Sequence, residues 1–316
     1  MSGAERKTGE ACSLAERELE QLLFSVPAWQ GREIFYRPTF GGFSNSAWRV
    51  RLGGAEKKTF FLKIPGAGTE NFINRAASLE ASRRAYSLGI GPRPYDYLTD
   101  RGVEICEFLE SARPCTLREF HAPDIRNRAI DGFRTFNDSA RLQLTKTVFD
   151  MIEEHIRQLH ELGDALPRDF QFLYRHYEHA RLPLEASGLD IVPCHNDPAP
   201  ANFLIDDAGT VTMVDFEYAS NNDRCHDLAT WCGEMFLSDE QQDEAIEHYF
   251  GTVHPSIRAR MFIHRVLGDF KWSLWATIQM KTSTIDFDFC KAAQWKLMRL
   301  RSAIQTPRWN QALAEV

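Results

Sequence analysis

The run Cys194-His195-Asn196-Asp197-Pro198-Ala199-Pro200-Ala201-Asn202 places an aspartate just after a histidine and an asparagine a turn later. A second aspartate follows in Val214-Asp215-Phe216-Glu217. Groups of these types, spaced in this way, suit phosphoryl transfer. The carboxylate of Asp197 can receive the proton of an attacking hydroxyl, while the amide oxygen of Asn202 and the carboxylate of Asp215 hold Mg²⁺ against the phosphates of ATP. Magnesium favours oxygen donors and takes few of them from protein. Each residue also has an ordinary reading: an aspartate closing a turn before proline, a turn asparagine, an aspartate at a strand end. The joint pattern favours chemistry. His195 suits orienting the loop, and no second histidine at ligand spacing accompanies it to suggest a metal hydrolase.

Several elements must position these groups. Thr212-Met213-Val214 reads as a buried strand that delivers Asp215, in a hairpin from Phe203 to Val214 turning at Asp207-Ala208-Gly209. Upstream, Leu14 to Phe24 carries apolar residues at helical spacing. From Ile34 to Ile64 the pattern is β-rich, with runs Glu33–Arg37, Ala47–Arg51 and Thr59–Ile64 separated by Phe40-Gly41-Gly42-Phe43-Ser44-Asn45 and Gly53-Gly54. A helix is expected from Phe72 to Leu88, then strands over Tyr95–Leu98 and Val103–Phe108. Helical spacing returns over Arg141–Leu162, Glu240–Phe250 and Met261–Met280. The fold class is therefore α+β and bilobal. A polar tail, 1–12, is expected to fray; a small β-rich N-lobe, 13–110, binds nucleotide; and a larger α-helical C-lobe, 111–316, carries the catalytic and acceptor-binding groups. Ligands favour clefts between such lobes. The polar stretch Arg113 to Asp138 has no assignment.

Lys63 lies in the apolar run Phe60-Phe61-Leu62-Lys63-Ile64, where a lysine is costly to bury unpaired. It is the candidate phosphate-binding lysine, against the plain reading of a solvent-facing strand residue. Its partner is sought at Glu80 on the following helix, with Glu70 also near in sequence. The turn before it, Gly41-Gly42-Phe43-Ser44-Asn45-Ser46, offers backbone N–H groups and hydroxyls to phosphates, which brings in Ser44 and Asn45. Trp272 and Trp275, three apart on a helix, share a face. They are either core packing or an aromatic wall for a quaternary ammonium, each ring contributing roughly 0.5–2 kcal/mol.

Composition narrows the field. The chain has 316 residues, 43% of them hydrophobic, and a net charge of −7 with no long basic run, which argues against nucleic acid and mildly favours a cationic small molecule. Its seven cysteines are scattered without C-x-x-C spacing, as free thiols in a reducing cytoplasm would be. No secretory signal and no bilayer-spanning run is expected. Nothing in the pattern specifies an oligomeric state.

These residues resemble the choline/ethanolamine kinases and, more broadly, the aminoglycoside-phosphotransferase-like kinases, from about residue 38 to 290. The segment Cys194 to Glu234 carries most of the likeness, through His195-Asn196-Asp197, Asn202, Asp215-Phe216-Glu217-Tyr218-Ala219-Ser220, Asn222, Arg224, Asp227 and Glu234. Trp272-Ser273-Leu274-Trp275, with Gln279 and Ser283, resembles the family helix whose tryptophans line a choline pocket. Lys63-Ile64-Pro65-Gly66, Thr69-Glu70-Asn71 and Asn74-Arg75 look like the bacterial branch. The resemblance implies a protein-kinase-like fold, ATP with Mg²⁺, and transfer to the hydroxyl of choline or a related amino alcohol. It makes Asp197 the base, Asn202 and Asp215 metal ligands and Lys63 a phosphate clamp. It further implies that Glu107 to Leu109 meets adenine through its backbone, and that Glu217 and Glu234 face the acceptor. Two positions depart. Ala199 stands where animal-type members carry glutamine, and Leu237-Ser238-Asp239 stands where an aromatic completes the cage. Ethanolamine, an aminoglycoside or a sugar are the alternative acceptors. A nucleotide-binding pseudokinase is the rival class, but such proteins usually lack a lysine, aspartate or metal position that is present here.

Overall fold

In the computed structural model, which describes residues 4–39, 45–54, 58–66, 69, 72–98, 101–163, 166–283 and 285–316, the chain divides into two units. The first comprises Met1–Arg75 with Pro92–Glu110, the second Ala76–Gly91 with Ser111–Val316.

The first unit follows the alternation of its strands. It contains β1 (Arg6–Lys7), α1 (Leu14–Ser25), β2 (Ile34–Thr39), β3 (Asn45–Leu52) and β4 (Thr59–Pro65); then, after α2 (Arg75–Ser87), it resumes with β5 (Pro94–Leu98) and β6 (Val103–Glu107). These strands pair antiparallel in the order β1-β2-β3-β4-β6-β5. Every second residue turns inward. Ile34, Tyr36, Val50, Leu52, Phe60, Leu62, Val103 and Ile105 thus form one core with Leu19, Leu22 and Leu23 of α1. A reciprocal cap of Ser13 and Glu16 starts that helix. Residues 6–7, expected to fray, instead extend the sheet, with Arg6 opposite Tyr36. Glu5 anchors them by ion pairs to Arg49 at 2.9 Å and Arg51 at 2.5 Å. Ala76–Gly91 groups with the second unit because Ala81 and Ala85 of α2 pack in that unit's core.

The second unit continues with β7 (Arg113–Pro114), α3 (Leu117–Phe120), α4 (Pro123–Asn137), α5 (Val148–Glu161), α6 (Phe170–Ala186), β8 (Ile191–Cys194), β9 (Phe203–Ile205), β10 (Val211–Met213), β11 (Ser220–Asp223), α7 (Cys225–Glu234), α8 (Asp239–Phe250), α9 (Pro255–Thr282), α10 (Phe289–Ile304) and α11 (Pro307–Glu315). The unassigned stretch after Arg113 is helical for local reasons. Thr116 and Glu119 cap α3 reciprocally, and Pro123 opens α4 where its missing N–H does no harm. The helix expected from Arg141 begins only at Val148, behind a cap of Thr147 and Asp150. Asn221 holds the preceding residues extended: its side-chain oxygen accepts the Leu142 N–H at 2.8 Å and its nitrogen donates to the Leu142 carbonyl at 2.7 Å.

Two close approaches set the hairpin and helices that matter for the site. Gly132 lets α4 lie on β10, since a Cβ there would sit 2.9 Å from Met213 Sδ. Gly268 lets α9 touch α7, where a Cβ would meet Thr230 Cγ2 at 2.3 Å. The hairpin of β9 and β10 pairs Phe203 with Met213, and β8 pairs with β11. Helix α9 exceeds the expected Met261–Met280 at both ends and packs on α5, α7 and α10.

Candidate active site

Where β8 ends, the chain turns through His195 and Asn196, and Asn196 takes a left-handed φ of 63°. Such a conformation is costly for a residue with a side chain and persists where surroundings enforce it. Here they do. The Asn196 amide nitrogen donates to Ser220 Oγ at 2.9 Å and to the Tyr218 carbonyl at 3.1 Å, and its oxygen accepts from Asn222 at 2.9 Å. Asp227, in the first turn of α7, accepts the backbone N–H groups of His195 and Asn196, both at 2.8 Å, and the Asn137 amide at 3.2 Å. Burial pushes the Asp227 carboxyl up, while His195 and these donors pull it back. Asn137 is itself fixed by the Pro193 carbonyl and the Tyr249 hydroxyl, each at 2.6 Å. The His195 ring is committed on both nitrogens: Nε2 donates to the Val214 carbonyl at 2.9 Å, and Nδ1 accepts the Asp197 N–H at 3.3 Å. Asn137 carries this loop without signalling it in the sequence, and Asp227 stands out there only as part of the family resemblance, with no role attached.

The loop delivers Asp197, and backbone ties bring Asn202 and Asp215 to it. Asp197 Oδ1 accepts the Ala199 N–H at 3.3 Å, and the Asn202 amide nitrogen donates to the Asp197 carbonyl at 3.4 Å. The Asn202 carbonyl accepts the Val214 N–H at 2.9 Å. Asp215 comes next, in a left-handed conformation with φ 65°. Burial is the main influence raising the Asp197 carboxyl; the Asp215 charge adds to it, while His195 and Lys271 oppose it. The Asn202 nitrogen is turned to Asp197, which leaves its amide oxygen as an acceptor. That oxygen and the Asp215 carboxylate are hard oxygen donors of the kind that Mg²⁺ favours.

In the first unit Lys63 is buried on β4 and pairs with Glu104, its cross-strand neighbour on β6, at 3.4 Å. An acid inside Val103-Glu104-Ile105 is a partner the sequence pattern barely announces. Asn45 opens β3 opposite Pro65. Glu107 ends β6, its N–H donating to the Arg93 carbonyl at 2.8 Å, and Leu109 lies just beyond it, half-buried. In the second unit, Glu80 on α2 accepts the Gln143 N–H at 3.1 Å. Ser44 and Gly41–Phe43, with Glu70 and Asn71, lie outside the described residues.

The tryptophans do share a site. Trp272 and Trp275 meet edge to face at 5.4 Å, and Trp275 meets Phe289 at 5.9 Å. Tyr218 packs on Trp272 at 5.5 Å. Tyr218 belongs to the turn that follows Asp215, so a further ring lies beside the two tryptophans. Glu217 is buried in that turn, and its charge adds to burial in raising the Tyr218 phenol. The Lys271 ammonium lies 3.1 Å from the Trp272 ring centroid and 4.7 Å from that of Tyr218. Glu234 differs from the expectation that it faces a cationic acceptor. Lys296 and Arg299 of α10 meet its charge within the protein, the latter at 3.0 Å. Burial alone would raise the Glu234 carboxyl; these two cations bring it below its ordinary value.

The family model described as choline/ethanolamine kinase matches residues 37–300. A choline/ethanolamine kinase of Rattus norvegicus is 24% identical, over 83% of this chain and 78% of its own length. The crystal structure of a choline/ethanolamine kinase family protein from Mesorhizobium loti superposes with a TM-score of 0.79 at 28% identity, over 95% of this chain and 98% of that one. Choline kinase LicA from Streptococcus pneumoniae shares the fold, with a TM-score of 0.76 at 20% identity over 92% of this chain and 100% of the other.

Proposed function

The chain belongs to the choline/ethanolamine kinase family and is a phosphotransferase acting on an alcohol group; we propose that it transfers the γ-phosphoryl group of ATP to the hydroxyl of choline or a related amino alcohol. The observation that carries this reading is the tie from Asp197 through Asn202 to Val214 and Asp215, on a loop pinned by Asp227. Asp197 orients the acceptor hydroxyl and takes its proton as oxygen bonds to the γ-phosphorus and ADP departs. A carboxylate whose proton affinity is raised by burial suits that role. Mg²⁺, when held by the Asn202 oxygen and the Asp215 carboxylate, offsets charge on the nucleotide phosphates. Lys63 is assigned to the phosphates as well, its ammonium held by Glu104. Asn45 and Ser44 are assigned to the nucleotide, and the backbone from Glu107 to Leu109 to its adenine. Tyr218, Trp272 and Trp275 take the cationic end of the acceptor, with Glu217 as the nearby acid.

The cysteines form no disulfide among the described residues, in keeping with a cytoplasmic setting. No helix among the described residues is long and apolar enough to cross a membrane.

ADP release by purified protein with Mg²⁺–ATP and a panel of choline, ethanolamine, an aminoglycoside and a sugar tests the reading. Amino alcohols are expected to drive turnover, and Asp197→Ala to reduce it by about 10²–10⁴-fold with ATP affinity preserved. Normal turnover in that variant removes Asp197 as the base. Turnover with the aminoglycoside or sugar alone reassigns the acceptor. Nucleotide binding without turnover on any alcohol restores the pseudokinase reading.

A further inference from the structure

A lysine already occupies the aromatic site. Lys271 precedes Trp272 on α9, and its side chain is 99% buried, since only 1% of the residue is exposed. Its Nζ rests on the Trp272 face at 3.1 Å from the centroid and also faces the Tyr218 ring at 4.7 Å. Nζ makes no hydrogen bond to any described residue, and the same holds for the Trp272 indole nitrogen. A buried amine without a partner is unfavourable, because it has lost water and gained no hydrogen bond. The aromatic faces compensate in part. Such an arrangement is stable only at a position where something else supplies the missing contact, or where the amine itself has work to do.

We propose that Lys271 is a specificity-determining residue of the acceptor site, holding the ring face that a quaternary ammonium needs, so that the chain favours amino alcohols whose nitrogen carries hydrogens over fully methylated ones. The inference rests on the reading that Trp272, Trp275 and Tyr218 take the cationic end of the acceptor. A trimethylammonium group stacks on ring faces and makes no N–H hydrogen bond. It must therefore displace Lys271 from Trp272. A primary or secondary amine is smaller, and it can give a hydrogen to the lysine nitrogen as it arrives. Chemistry at Nζ supports this. Burial drives the Lys271 pKa well below the ordinary lysine value, Asp197 and Glu154 counteract that in part, and Lys146 and Lys296 reinforce it. A neutral amine has the lone pair that an N–H-bearing ammonium requires. His155 is likewise pushed down to about 3, chiefly by burial.

The test compares kcat/KM for choline and ethanolamine in the wild type and in Lys271→Met, which keeps an unbranched side chain and removes the nitrogen. Ethanolamine should be the better substrate of the wild type, and the substitution should move the choline-to-ethanolamine ratio upward by about tenfold or more. A wild-type preference for choline, or a ratio unmoved by the substitution, overturns the proposal. A second measurement needs no turnover: quenching of tryptophan fluorescence by tetramethylammonium in both proteins, with Lys271→Leu as a further variant and thermal melts to confirm folding. Tighter binding to the variants by about tenfold supports the proposal, and equal binding overturns it. If neither alcohol is phosphorylated by any of the proteins, the assigned reaction fails, and the tetramethylammonium titration still decides the role of Lys271.

Discussion

Two neighbouring parts of the second unit handle buried polar groups in opposite ways. Beneath the catalytic loop, the side chains of Asn137, Asn196, Ser220 and Asn222 use both their donors and their acceptors on one another, on Asp227, on Tyr249 and on backbone, and both Asp227 oxygens accept. Around the tryptophans, the Lys271 ammonium and the Trp272 indole nitrogen are buried with no such partner among the described residues. Full pairing leaves the first region one arrangement, which is what a group that must meet a hydroxyl within a fraction of an ångström requires. Incomplete pairing leaves the second region with contacts still to make. The platform for chemistry is finished, and the surface for recognition waits for its ligand.

The comparison breaks most readily at Asp227. Asp227→Asn keeps size but turns one acceptor oxygen into a donor facing the His195 or Asn196 N–H. The expected result is a loss of kcat of about 100-fold or more, since a small displacement of Asp197 is enough. Stability should fall by about 2–4 kcal/mol, as charge-assisted bonds are lost in a buried site. A variant with normal kcat and an unchanged denaturation midpoint would show that the loop holds itself without this carboxylate.

On the recognition side the expected effect is smaller and of a different kind. Trp272→Ala removes one ring face, which corresponds to roughly a 2–30-fold rise in acceptor KM. The KM for ATP and the kcat at saturating acceptor should hardly move. Steady-state kinetics with both substrates varied makes the distinction. A collapse of kcat comparable to that of Asp227→Asn would mean that the aromatic group also orients the chemistry, and the division between the two regions would be lost.

That division also explains what could be read in the sequence. Asp197, Asn202 and Asp215 stand out because few ordinary turns need an H-x-D frame, an asparagine and a later strand-borne aspartate together. The β-rich first lobe was legible through alternation, and the long helix bearing the tryptophans through its apolar spacing. The supports were legible only in part, Asn222 and Asp227 through the resemblance and without their role, Asn137 not at all. Asn137, Asp227 and Asn222 reach the loop from α4, α7 and β11, and single-residue identity does not reveal which distant backbone a side chain will meet. Glu104 opposite Lys63 depended on strand register, and Tyr218 as a third ring depended on how the chain turns after Asp215. Residues 141–147 misled for a related reason. Their apolar spacing is helical, but Asn221 offers the backbone at Leu142 better-placed partners, and the cap at Thr147 fixes where the helix can begin.

The smallest effect should be the most discriminating, because a buried group in each region contributes to stability at neutral pH with opposite sign, Asp223 stabilising and Lys271 destabilising. Asp223, at the end of β11, accepts a hydrogen bond from Arg260 at 2.6 Å and lies 3.2 Å from His264 Nε2. Burial would raise its carboxyl, but His264 and Arg260 outweigh that and hold it below the usual carboxylate range. Its stabilisation is therefore complete above the unfolded value of about 3.9 and disappears as pH falls through the lower folded value. Thermal melts of Asp223→Asn should lose this acid-limb slope and lie below the wild type at neutral pH. Lys271 shares the upward slope but costs stability at neutral pH. Its folded pKa is depressed, so at neutral pH the unfolded chain binds the proton more readily, and the residue destabilises the fold until pH rises toward the unfolded value of about 10.4. Lys271→Met should consequently raise the melting temperature at pH 7 by a few degrees and flatten its rise between pH 7 and 9. Should Lys271→Met melt lower than the wild type across that range, the amine is satisfied in the free protein, and the contrast between a finished platform and a waiting pocket does not hold.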